Sequence, residues 1–67
     1  MNIDIRTSIT NNFKDTNDLE IKKAIENSIK DNSELTLPGL GVFFEILWKH
    51  SDTNLHQQII EKIKRGL

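Results

Sequence analysis

The sequence predicts an all-α fold: a small bundle of about four short helices around a strongly apolar third one. Three observations point there. Three stretches carry apolar residues three and four apart, the helical period. Clusters of Asn, Asp, Ser and Thr punctuate the chain where helices should start and stop. The chain has only 67 residues, which makes one helical domain, 1–67, the expected organisation.

The first segment, Ile3 to Lys14, places Ile5, Ile9 and Phe13 on one stripe. Its β-branched and Asn residues are weak helix formers, so it should hold its shape only when docked. In the second, Asp18 to Asp31, Asn17 is the expected cap, with Glu20 in the capping-box position. Ile21, Ala24, Ile25 and Ile29 make its face. Glu26 and Lys30 are four apart, in the supportive orientation. Asp31-Asn32-Ser33 should end it.

The third segment contains Pro38, which is tolerated in a first helical turn, so Thr36 or Leu37 is the expected N-cap. From Leu40 to Trp48, seven of nine residues are apolar. Leu40, Phe43, Phe44, Leu47 and Trp48 form one broad face, with Val42 and Ile46 pointing away from its centre. A helix apolar most of the way round belongs inside a bundle. The expected core therefore packs that face on Ile9, Phe13, Ile25, Ile29, Ile59 and Ile63. A buried strand over Val42 to Trp48 is the rival, but it would lack a partner strand. The fourth segment runs from about Thr53 to Arg65 on a stripe of Leu55, Ile59, Ile60 and Ile63. Gly66 stands where a C-terminal glycine cap would.

Composition narrows the function. At 36% hydrophobic, with ten isoleucines, the chain is suited to folding. Nine Lys+Arg against ten Asp+Glu leave a net charge of −1, which gives no global pull toward nucleic acid or an anionic membrane. The absence of cysteine removes disulfides and thiolate metal sites. The residues Met1 to Arg6 have no apolar run of the kind a secretory signal needs. No stretch approaches the ~20 apolar residues of a membrane span.

His50 and His56 are six apart, not at zinc-binding helical spacing, and read as surface residues. The carboxylates are scattered and no serine sits in a nucleophile motif. Enzyme activity, a cofactor and a small-molecule substrate are not expected. Gly39 and Gly41 lack the strand and further glycines of a phosphate loop, and read as close-packing positions. Lys49, Lys62, Lys64 and Arg65 could touch phosphates, with Lys49 beside the others if the last two helices pack antiparallel. Pairing the third and fourth segments as a helix–turn–helix would present His56, Gln57 and Gln58 to bases. Four cations in a chain of net −1 make any DNA binding weak and unspecific. A third reading is a helical interaction module. Apolar surplus among Leu35, Leu37, Leu40, Val42 and Ile46 would then be buried in a homodimer, unless the first helix covers it.

The run Leu37-Pro38-Gly39-Leu40-Gly41-Val42-Phe43-Phe44-Glu45-Ile46-Leu47-Trp48-Lys49-His50 resembles the centre of the I-type small acid-soluble spore proteins. Their pattern there is Leu-Pro-Gly-Leu-Gly-Val, two apolar residues, Glu, two apolar residues, Trp, a polar residue and His. The motif residues Leu37, Pro38, Gly39, Leu40, Gly41, Val42, Glu45, Trp48 and His50 all fit. The match extends more loosely to Ile5-Arg6 and Gly66-Leu67, with the family's short tail missing. The resemblance implies a minor, non-enzymatic protein made in the developing forespore and kept in the spore core. It brings no catalytic site or ligand. The α/β-type spore proteins that coat DNA are a different family, and DNA coating does not carry over.

Overall fold

The computed structural model describes residues 4–67. Four helices follow one another: α1 (Ile5–Phe13), α2 (Asp18–Asp31), α3 (Leu37–Lys49) and α4 (Thr53–Gly66). There is no strand among the described residues, and the Val42 to Trp48 run is helical. Ile3, where the first apolar segment was read to begin, lies outside the described residues.

Three of the four starts, those of α1, α2 and α4, are fixed by a short polar side chain that accepts an N–H left free by the first turn. Asp4 accepts from the Thr7 N–H at 3.2 Å and from its hydroxyl at 2.7 Å. Asn17 accepts from Glu20 at 2.9 Å, and Asp52 from Leu55 at 2.8 Å. Thr36 is the N-cap of α3 but makes no such bond. Its hydroxyl turns back to the carbonyls of Ser33 (2.8 Å) and Ser28 (3.1 Å). It thus serves the open C-terminal end of α2 and ties α2 to α3.

Asn32 ends α2 in the left-handed region, φ 52°, a conformation its short polar side chain tolerates. Gly66 does not play the expected capping role. It lies within α4, no glycine has positive φ, and Leu67 donates to the Lys64 carbonyl at 3.2 Å. Glu26 and Lys30 form no close ion pair; those formed by the described residues are centred on Glu45.

The backbones that approach α3 most closely are those of α1 and α2. The interior differs from the sequence expectation. Val42, expected to point away from the centre of the core-facing side, is the one buried apolar residue among those described, at 8% exposure. Phe44 and Leu47, expected inside, are each 44% exposed. Ile29 and Ile63 are exposed as well, while Ile9, Phe13, Ile25 and Ile59 are half-buried. The physical reason is the docking of α1. It covers the side of α3 that carries Gly39 and Val42, where side chains are small. Ile9 then reaches Gly39, and Phe13 meets Phe43 edge-to-face with ring centroids 5.2 Å apart. The large residues Phe44 and Leu47 fall on other sides. The third helix is therefore apolar but not enclosed.

Candidate functional site

The family-like run occupies all of α3 and its C-terminal end, and the structure gives its residues three different tasks. On the α1 side, Gly39 leaves room for Ile9: a Cβ there would lie 3.5 Å from the Ile9 Cδ1, an ordinary contact. Gly41 packs against nothing, since a Cβ there would meet no atom within 4 Å. The close-packing role read for both glycines thus belongs to Gly39 alone. Leu37 is exposed and Leu40 half-buried, and both border a shallow pocket between α2 and α3.

Glu45 is the electrostatic centre. The Arg6 guanidinium meets it with a fork of two bonds, Nε to Oε1 at 2.8 Å and Nη2 to Oε2 at 3.0 Å. Lys49, one turn further on, stands 3.6 Å from Oε1. The Arg6 bonds hold the Glu45 carboxyl below its usual range, with Lys49 adding a smaller pull. In return Glu45 raises Arg6. Asp4 is also lowered, first by the Thr7 hydroxyl and then by the Thr7 N–H. All three groups are thus fixed in their charged forms. Arg6 had no role in the sequence reading, although Ile5-Arg6 and Glu45 both belonged to the resemblance. Their separation of 39 positions hid the pairing.

The third task is closing α3, whose last carbonyls have no partner within the helix. The His50 Nδ1–H donates to the Ile46 carbonyl at 2.9 Å. The Ser51 hydroxyl donates to Leu47. The His56 Nε2–H reaches across from α4 to the Trp48 carbonyl at 2.7 Å. The His56 ring also lies flat on Trp48, with centroids 3.8 Å apart and planes within 2°. Trp48 in turn stacks on Phe44 at 5.9 Å. Three neighbouring carbonyls are thereby satisfied without a glycine.

Beyond this stack α4 folds back over α3 and leaves an open groove of about 500 Å³. Phe44 and Trp48 form one wall, Ile60 and Ile63 the other, and Gly41 leaves its floor bare. Glu45 and Lys49 stand at its rim.

Of the four cations, Lys49 is drawn to Glu45 at 3.6 Å. Lys62, Lys64 and Arg65 lie in the exposed C-terminal part of α4. Of the residues a helix–turn–helix would present, Gln57 and Gln58 are exposed. His56 is turned inward and spent on Trp48. No helix is long and apolar enough to cross a membrane among the described residues. They also hold no group of three or more His, Cys, Asp or Glu able to share a metal ion.

A family profile described as "Small, acid-soluble spore protein I" matches residues 3–67. The chain belongs to this family. It is 37% identical to the small, acid-soluble spore protein I of Halalkalibacterium halodurans, over all of this chain and 98% of that one. Identity is 33% to the proteins of the same name from Shouchella clausii and Bacillus cytotoxicus, which the alignments cover to 97% and 96%. No solved structure matches. The expectation drawn from the α3 run therefore holds at the level of family, and with it the reading of this chain as a sporulation protein. Within this chain the run Leu37 to His50 gives one side to α1, one carboxylate to Arg6, and one aromatic–histidine clasp to α4.

Proposed function

We propose that the chain is a non-enzymatic component of the spore core, made in the forespore during sporulation. The observation that carries this reading is the family match over residues 3–67, and the ionisable groups of the site are in keeping with it. Asp4, Arg6 and Glu45 are each driven further into the charged state by a bonded partner. Acid–base chemistry near neutrality instead needs a group poised to exchange its proton. Here the charges cap α1 and fasten it to α3. The family assignment supplies the cellular setting, and the open surface of α3 and α4 suits a protein that works by association.

The test is localisation. A fluorescent fusion expressed from the native promoter should light the forespore alone. Acid extraction of decoated dormant spores should then recover the untagged chain from the core. Signal in the mother cell, or recovery with the coat fraction, would overturn the assignment.

A further inference from the structure

We infer that two copies of this chain pair across the α3–α4 groove. The first argument is area. A compact monomer of 7.8 kDa should expose about 4,400 Å², yet the chain exposes 5,912 Å². Its radius of gyration, 13.1 Å, also exceeds the roughly 11 Å of a compact chain this long. A single copy therefore leaves more than about 1,000 Å² that a compact molecule would have covered. A stable dimer takes about 800 Å² from each partner. That surplus is spread over the whole chain, and the groove carries part of it in Phe44, Ile60 and Ile63.

The second argument is where that surplus is apolar and self-complementary. Val42, one of the residues the sequence offers for a dimer face, is buried within the chain and takes no part in this one. The groove is different. Its aromatic wall, Phe44 and Trp48, faces an isoleucine wall, Ile60 and Ile63. Phe44, Ile60 and Ile63 are all more than two-fifths exposed. A two-fold axis over the groove lays Phe44 and Trp48 of each copy on Ile60 and Ile63 of the other, the reciprocal pattern of an isologous contact. The bare floor at Gly41 admits the approach. Both charges at the rim, Glu45 and Lys49, are already paired within each copy, so closing the groove strands no unpaired charge. A net charge of −1 puts little repulsion between copies.

The pairing holds whatever compartment the protein occupies, and the purified full chain tests it. In sedimentation equilibrium up to about 100 µM, a range that detects micromolar dimers, the parent should show the mass of two chains. Dilution should return one chain, and the emission of Trp48, the sole tryptophan, should shift to the red as the groove opens. Ile63→Glu should weaken the dimer by tenfold or more, as loss of a central anchor does, with helical circular dichroism retained. Leu35→Lys, in the exposed turn before α3, should leave it unchanged. A single-chain mass throughout overturns the inference. So does a dimer that dilutes with Trp48 emission unmoved, or one that Ile63→Glu leaves as tight as the parent. The first two outcomes are read on the parent alone and decide the matter even if a variant fails to fold.

Discussion

Replacing His56 with alanine removes two links between α4 and α3 at once. One is the flat stack on Trp48, with centroids 3.8 Å apart. Aromatic pairs contribute about 0.5–1.5 kcal/mol beyond their burial. The other is the 2.7 Å bond to the Trp48 carbonyl, where a net contribution is about 0.5–1.5 kcal/mol. That carbonyl keeps a weaker partner, the Ser51 N–H at 3.3 Å, so the hydrogen-bond loss belongs at the low end. The expected cost of His56→Ala is therefore about 1–2.5 kcal/mol, against a total of roughly 3–5 kcal/mol for a domain of this size. His56→Phe keeps a flat ring and loses only the donor, so it should fall between the two. Urea unfolding followed by Trp48 fluorescence, at a concentration where the chain is single, measures all three. If His56→Ala melts within about 0.5 kcal/mol of the parent, a surface-substitution effect, the clasp has no energetic weight. If His56→Phe is no better than His56→Ala, the stack is not its source.

Three further outcomes follow from the same geometry. Val42→Ala should cost about 2 kcal/mol, from two buried carbons at ~0.8 kcal/mol each plus a small void; Phe44→Ala, on a ring 44% exposed, should cost only about 1–2 kcal/mol in the dilute chain, and a loss of 3–5 kcal/mol would return Phe44 to the interior. Glu45 has its folded carboxyl lowered by Arg6, so its contribution is present above the ordinary carboxylate range and fades as pH falls through the folded value; the gap in urea midpoint between parent and Glu45→Gln should close on acidification and shrink in salt, and a gap independent of pH would refute the pairing. With Lys49 drawn to Glu45 and a net charge of −1, duplex DNA should give only a shallow salt slope, about −0.9 per phosphate contacted, and a sequence-selective complex in a gel shift at physiological salt would show this wrong.

The helices were legible because their signals are local. Asn17, Asn32 and Asp52 act within three residues of themselves, and stripes such as Ile5, Ile9 and Phe13 need no knowledge of the rest. The inward side of α3 was not legible. A helix apolar nearly all round carries no direction in its own sequence, and helical spacing alone put Phe44 and Leu47 at the centre of the broad face and Val42 beside it. The deciding signal was small size: Gly39 and Val42 share the side on which a neighbouring helix can come near. The Arg6–Glu45 fork and the inward turn of His56 join distant positions, and neither spacing nor residue type announces them. Glu45 is singled out only through the resemblance, and the structure supplies its task as the partner of Arg6.

The brevity of the links between helices bears on how fast the chain reaches its fold. Turns of a few residues bring neighbouring helices together, so most encounters close small loops, and proteins of this topology fold in microseconds to milliseconds. With Val42 the one buried apolar residue among those described, little holds the barrier to opening high. Where opening and reclosing outrun peptide-bond cleavage, a protease samples the equilibrium share of open chains, not the rate at which they appear. In that regime the lifetime of this protein among proteases is set by whatever shifts that equilibrium, and a partner that binds only the closed form lengthens it by a factor of one plus the ratio of free partner concentration to Kd.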